Sequence, residues 1–598
     1  MSQRSVNQRS GLLGSAGLLA GLLAVACASD GEEPNPGAGA TGGSAGSAAS
    51  GSNAGAPSTC AGTHVVTPKR VVRLSEHQLF NAFTSLFGAE AAAVITANED
   101  PPTLAEREFP PISGDIGVSE LLFGRSDRLA QAAMKYVSEN ADALTACGAE
   151  PSDAACVQDY LLSFAEKAFR HPLSSEERSA ITEQLWTELG AADATPAEAL
   201  GYGVYAILSS PSFLYRTEFG TDPAADGPLT PYELATAISL FLTDRPPDAD
   251  LLAAAASNQL GTPSAVRAQA TRILATPEAR ENLEYALIRY FNLTNAPTVI
   301  LNPEATPGLS VTGGLQASIF REGELFLKNL LWSEPLGALL TSRKTWTSAE
   351  VATEVYQVAA PTELDTDGFG LVELPPDRSG LLTLSTFLLS GARSTGGSPV
   401  TRGLAVNGSI VCEVNPLFPE VVNPETGQLE QDPKILAAIE SLADMSELEK
   451  AQYRATTPTC SGCHLQFDAF GMVLEPYDAI GRYRTEDLDG RSIDASWTTT
   501  TLPESVGGAR VTSAAETAQA LVASGALDRC MAMNFINFAL TEVSRGGANN
   551  TDLGSAPQTG SCAVQGVIDN FAATDGSFAS LMREIAASDT LALRSKGQ

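Results

Sequence analysis

A mainly α fold built from several consecutive helical modules is what this 598-residue sequence predicts. Three observations carry it. Helix-start signals recur along the chain, each a Ser or Thr with Glu or Gln three residues on, a pattern that satisfies two orphan backbone N–H groups reciprocally. Apolar residues after these signals return every three or four positions, which lines one face of a 3.6-residue helix. Runs that alternate apolar and polar, the mark of a half-buried strand, are few.

In chain order, the N-terminus is a targeting segment. Arg4 and Arg9 precede Gly11–Ala26, a small and apolar run too short to cross a bilayer, which needs ~20 residues. The run ends in LAVAC, which resembles a bacterial lipoprotein lipobox with Ala24 where the pattern prefers Leu. Residues 1–27 are thus expected to be a lipoprotein-type signal with Cys27 lipidated; ordinary secretory cleavage is the alternative, and both export the protein. Ala28 and Ser29 follow, so no Asp beside the cysteine argues for inner-membrane retention. Residues 28–65 are rich in Gly, Ala and Ser and cannot bury enough surface to fold; they are expected to be a tether.

The body is expected to form helical modules over 66–150, 151–225 and 226–360, a motif-bearing module over 361–490 and a C-terminal helical module over 491–598. In SEHQLFNAFTSLFG, Ser75 and Gln78 form a capping box, Leu79, Phe80, Phe83, Leu86 and Phe87 share a face, and Gly88 is the stop. Ser174 and Glu177, just after Pro172, make the next start. In LTPYELATAISLFL, Thr230 caps, Pro231 opens the first turn, Glu233 sits at N3, and Leu234, Ile238 and Phe241 line the buried face. Further amphipathic runs cover Ala265–Leu274, Glu281–Tyr290, Gln316–Leu331, Ile435–Leu442, Ala514–Ala523 and Ala532–Val543. The Pro- and Gly-rich stretches Asn295–Gly314 and Ala360–Arg378 are expected to be linkers.

Lys plus Arg total 37 against 70 Asp plus Glu, a net charge of −33. Phosphate backbones would be repelled, so nucleic acid is not an expected partner. A chain so acidic stays soluble and could attract a basic protein.

Nine cysteines fit an exported protein. Cys147 and Cys156 enclose a short loop and are the best local disulfide; Cys530 and Cys562 flank a Gly/Asn/Ser-rich loop and are the next. Elimination leaves Cys60 with Cys412.

Cys460 and Cys463 belong to a motif, TTPTCSGCHLQFDAFGM, that holds Cys460-Ser461-Gly462-Cys463-His464. Two thiols three residues apart lie on nearly one face of a helical turn and can add across the vinyl groups of haem as thioethers, leaving the adjacent imidazole to take the iron. Zinc needs about four ligands, and His64, His77 and His171 do not recur at metal spacing. A thioredoxin-like site expects a strand–helix setting, whereas this context is helical. Covalent haem c held by Cys460 and Cys463, with His464 as proximal ligand, is therefore the expected cofactor, which places a cytochrome-c-like haem segment in the C-terminal third. Met531 or Met533, far downstream, and Met472, eight residues past the histidine, are candidates for the distal position, although a methionine on an apolar helix face more often fills a core. His77 and His171 are alternatives for a bis-histidine site. Arg482 or Arg484 could meet a haem propionate or equally be a solvated surface charge, and Glu475 or Asp478 could orient His464 through its second ring nitrogen, a task more often done by a backbone carbonyl. The acidic turns Asp365–Gly368 and Glu486–Asp494 complete no EF-hand.

Five segments carry a resemblance: RVVRLSEHQLFNAFTSLFG; FAEKAFRHPLSSEE with AILSSPSFLYRTE; PLTPYELATAISLFLTDRPPDADLLAAA; RSGLLTLSTFLLSGARSTGGSPVTRGLAVNGSIVCE with TCSGCHLQFDAFGMVLEPYDAIGRYR; and GALDRCMAMNFINFALTEVSRG with FASLMREIAASDTLALR. In order and wording they resemble large secreted haem-c-motif proteins of planctomycetes and myxobacteria, whose modules are catalogued as domains of unknown function. The resemblance implies haem attachment at Cys460, Cys463 and His464, with Asp468, Gly471, Glu475, Asp478, Gly481 and Arg484 matching the segment that follows. This chain has Asp468-Ala469-Phe470-Gly471-Met472 where that group has Asp-Pro-x-Gly-Phe, and its first module lacks the usual Tyr and Asp.

The expected function is electron transfer by an exported, lipid-anchored haem-c protein of the cell envelope, working with a redox partner protein as relay for an oxidative reaction. A haem enzyme with an open distal site, acting on peroxide or an organic substrate, is the first alternative. A non-redox surface-binding or structural module with an unoccupied motif is the second.

Overall fold

A computed structural model describes residue 60 and residues 67–101, 120–145, 154–191, 194–413, 420–422, 429–442, 445–493, 501–541 and 561–596. The predicted signal, Cys27, most of the tether and Cys147 lie outside them. The described residues are mainly helical and divide into two compact units, one from those within 71–101 and 120–217, the other from 67–70 and those from 218 onward.

In the first unit, α1 (Glu76–Phe87) starts on the Ser75–Gln78 capping box and ends at Gly88, whose φ of +79° suits glycine. It buries Leu79, Phe80 and Phe83 against α2 (Glu120–Glu139), α3 (Ala154–Phe169) and α4 (Pro196–Leu208), with Leu86 and Phe87 at the margin. Small residues let α4 approach its neighbours. A Cβ at Gly201 would sit 2.7 Å from the Met134 carbonyl, and one at Gly203 would sit 2.4 Å from Leu161. Arg170, buried and in the left-handed region, donates to the Ser212, Phe213 and Tyr215 carbonyls at 3.0, 3.1 and 2.6 Å. Burial lowers its pKa to about 10. The Ser174–Glu177 capping box forms as expected.

The second unit opens with β1 (Gly227–Pro228), antiparallel to β4 (Leu593–Arg594). Next come α5 (Pro231–Thr243), α6 (Pro263–Leu274), α7 (Pro277–Tyr290) and α8 (Gly313–Leu331). The first three open alike, on a Thr N-cap followed by Pro at the first helical position, where the missing N–H costs nothing. A second antiparallel pair, β2 (Lys344–Ser348) with β3 (Phe369–Glu373), packs on α8. Further helices follow: α9 (Pro399–Val406), α10 (Pro433–Ser441), α11 (Glu447–Thr456), α12 (Pro458–His464), α13 (Asp468–Met472), α14 (Ala514–Ala523), α15 (Ala526–Leu540) and α16 (Phe578–Ala586). One continuous core runs through this unit, from Ile238 and Phe241 on α5 to Phe326 on α8, Phe470 on α13, Phe535 on α15 and Phe578 on α16.

Three expectations need correction here. Asn295–Gly314 and Ala360–Arg378 are not linkers: Ala296, Ala305, Thr306, Val372 and Leu374 within them are buried in the second unit. Cys530 pairs with Cys412, not with Cys562, and Cys412 is therefore not joined to Cys60. The turn Asn407–Val411 that ends α9 packs on α15, bringing the two Cα atoms to 5.3 Å across a separation of 118 residues. Tertiary packing, rather than loop proximity, sets the partner. Cys60, Cys156 and Cys562 are also disulfide-bonded.

Candidate functional site

The helices α9, α11, α12 and α13, with the turns that follow to residue 484, build a frame around the C-x-x-C-H motif. Pro458 cannot continue α11, and its ring forces Thr457 into extended backbone (φ −84°, ψ 119°), so the chain breaks and restarts as α12. Cys460, Cys463 and His464 fall on this one helical turn. Of the seven described cysteines, five are disulfide-bonded; only Cys460 and Cys463 are free thiols, and both are partly exposed. The flank of Cys463 touches the main core, while Leu465, next after His464, is 55% exposed.

His464 is held from two sides. Its Nδ1 lies 2.9 Å from Asp468 Oδ1, and its ring packs 5.0 Å from that of Phe467. Because a carboxylate accepts, Nδ1–H donates and the lone pair is left on Nε2. The other oxygen of Asp468 accepts from Arg454 Nε at 2.7 Å, and both partners are buried. Arg454 on α11 thus fixes Asp468 on α13, which fixes the imidazole on α12. The sequence offers Glu475 or Asp478 for this role, with a backbone carbonyl the commoner partner; the structure gives it to Asp468 instead. The missed signal was the i, i+4 spacing of His464 and Asp468 within a helical stretch.

Glu475 and Asp478 serve the chain that follows. Glu475 Oε1 accepts from Arg484 Nη2 at 2.8 Å, and burial still pushes its pKa up to about 7 against the pull of Arg484. Asp478 accepts from the Ile480 and Arg482 backbone N–H groups at 3.0 and 2.8 Å and from Arg482 Nε at 2.7 Å, closing a turn around Gly481 at φ +94°. Arg482 and Arg484 are therefore engaged by carboxylates of this chain. Arg402, fully buried on α9, donates to the carbonyls of Leu474, Tyr477 and Asp478 at 3.0, 2.7 and 2.5 Å; burial lowers its pKa to about 10.

The same helix touches α13 backbone to backbone. A Cβ at Gly471 would lie 1.8 Å from the Pro399 carbonyl oxygen, and one at Gly403 would lie 2.4 Å from that of Phe467. No larger residue fits at this crossing, which fixes Asp468 relative to α9.

Met472 is buried in a small cluster with Ala451, Leu448 and Ala455. Met531 and Met533 are buried in the main core on α15. His77 and His171 belong to the first unit: His77 Nδ1 lies 3.1 Å from Asn81, and His171 Nε2 lies 3.8 Å from Glu177.

The donor set suits a covalent haem. Two unoxidised thiols stand three residues apart on one turn, in a chain whose other described cysteines are oxidised, beside an imidazole whose Nδ1 is committed. That combination is what thioether attachment and proximal ligation demand.

Three family models match the chain, each described as a protein of unknown function. DUF1595 (PSD5) matches residues 156–218, DUF1592 (PSD4) residues 229–358, and DUF1588 (PSCyt3) residues 378–487, the last spanning the whole C-x-x-C-H frame. No curated protein and no solved structure matches.

Proposed function

We propose that this chain is an exported, lipid-anchored haem-c protein that transfers electrons at the cell envelope. The observation that carries the reading is the pair of free thiols beside a histidine whose second nitrogen is tied to Asp468. Cys460 and Cys463 would hold the porphyrin through thioethers, and His464 would offer Nε2 to the iron. When bound, the group supplies reversible one-electron chemistry. Asp468 and Arg454 hold the imidazole in one tautomer and orientation, a constraint that raises ligand basicity. The Gly403–Gly471 crossing and the Arg402 clamp keep that geometry rigid. The resemblance to planctomycete and myxobacterial haem-c proteins, the lipobox-like Cys27 and the redox partner protein belong to the same reading.

A haem enzyme with an open distal position is the second reading. It rests on the burial of Met472, Met531 and Met533 among apolar side chains, which occupies each thioether in packing.

The test is the absorption spectrum of the full chain matured with haem-attachment machinery. A pyridine haemochrome of c type is expected; its absence removes both readings and leaves a binding or structural module. Prompt binding of carbon monoxide or cyanide without loss of a protein ligand selects the enzyme, and slow or absent binding selects the carrier.

A further inference from the structure

The partner of His464 is a carboxylate, and that carboxylate carries a cation of its own. Asp468 Oδ1 faces His464 Nδ1 at 2.9 Å, while Oδ2 accepts from Arg454 Nε at 2.7 Å. The side chains of Arg454 and Asp468 are only 9% and 3% exposed, so water screens their charges weakly. Among the described residues Arg454 makes no other ion pair, and its Nη2 is buried without a hydrogen-bond partner. The guanidinium therefore has a single anion to act on.

A backbone carbonyl in the place of Asp468 would fix the ring but carry no net charge. A carboxylate does more. By accepting from Nδ1–H it pushes electron density onto the imidazole and makes Nε2 the stronger donor. A stronger donor favours ferric over ferrous iron and lowers the reduction potential. Arg454 opposes this, because its Nε–H draws charge from Oδ2 and leaves Oδ1 the weaker acceptor. The fields of the two groups have the same signs: a nearby anion favours the more positive iron, and a nearby cation disfavours it.

We propose, on the reading that His464 ligates a haem iron, that Asp468 and Arg454 set the reduction potential as an opposed pair, Asp468 lowering it and Arg454 raising it. Arg454 acts through Asp468 and is a positioning residue. Loosened packing or a freed imidazole would move variants at both positions alike; opposed shifts mark the charges themselves.

Potentiometric titration at pH 7 of the full chain, matured with haem-attachment machinery, tests this, with a c-type pyridine haemochrome recorded first for each protein. Asp468→Asn should raise the midpoint potential and Arg454→Gln should lower it. Each shift should be about a tenfold change in the ferrous-to-ferric ratio at fixed potential, which is ~59 mV for one electron. Arg454→Lys, which keeps the charge, should stay near the parent. The double variant Asp468→Asn with Arg454→Gln strands no buried charge and should lie below Asp468→Asn alone; that comparison decides should Arg454→Gln alone fail to fold. Shifts of one sign at both positions, or no shift at either, overturn the proposal while leaving the haem reading intact. A parent without a haemochrome overturns both.

Discussion

Asp468 takes two partners at once, four residues after the motif histidine. One oxygen orients His464 and the other meets the buried Arg454. Removing it strands a cation in the interior as well as freeing the imidazole. Asp468→Ala is therefore expected to destabilise the second unit by about 3 kcal/mol, the usual cost of breaking a buried pair, while Asp468→Asn, which keeps the volume and one of the two acceptor oxygens, should cost less. Chemical denaturation of the two variants side by side checks this; equal losses would contradict it. Glu322 gives a different signature. Burial raises its pKa from 4.5 to about 8, so the folded state keeps a proton that the unfolded chain releases. Unfolding then releases protons between those values, and stability falls as pH rises across that window; Glu475, raised to about 7, adds in the same direction over the lower part of it. Glu322→Gln should leave the melting temperature near pH 5 unchanged and raise it at pH 8 relative to the parent. An unchanged difference between the two pH values would refute the assignment.

At the scale of elements, helix starts were the most legible feature. Ser75–Gln78, Ser174–Glu177 and Thr230–Glu233 all form capping boxes, because a cap is a local contact written within four residues. Helix crossings are not local, and the sequence shows only their residue. Gly471 was noted as part of a matched segment, yet its reason, a carbonyl of Pro399 against which no Cβ fits, depends on α9 some seventy residues earlier. Gly471→Ala is expected to cost at least about 3 kcal/mol, since neither backbone can yield without disturbing the other, and Gly403→Ala should behave alike. Thermal unfolding of both variants measures it. The Arg454–Asp468–His464 relay was half legible: the i, i+4 pair could have been seen in the sequence, but the arginine from the preceding helix could not.

For the second unit as a whole, the long-range tie is Cys412–Cys530. Its partner choice was missed because nearness in sequence was used as a guide, whereas packing of the 407–411 turn on α15 decides it. Closing a loop of 118 residues restricts the unfolded chain, and on the chain-entropy relation Cys412→Ser with Cys530→Ser should lower stability by about 4–5 kcal/mol. Calorimetry of the double variant checks it. The contrast between this oxidised pair and the free thiols of Cys460 and Cys463 is also the strongest whole-molecule argument for the motif, because one compartment meets both kinds of cysteine. Mass spectrometry of the peptide spanning Thr456 to Met472, taken from protein matured with haem-attachment machinery, tests that argument most directly. A single porphyrin bound through both sulfurs is the expected result; a disulfide between Cys460 and Cys463, or two unmodified thiols, would contradict it.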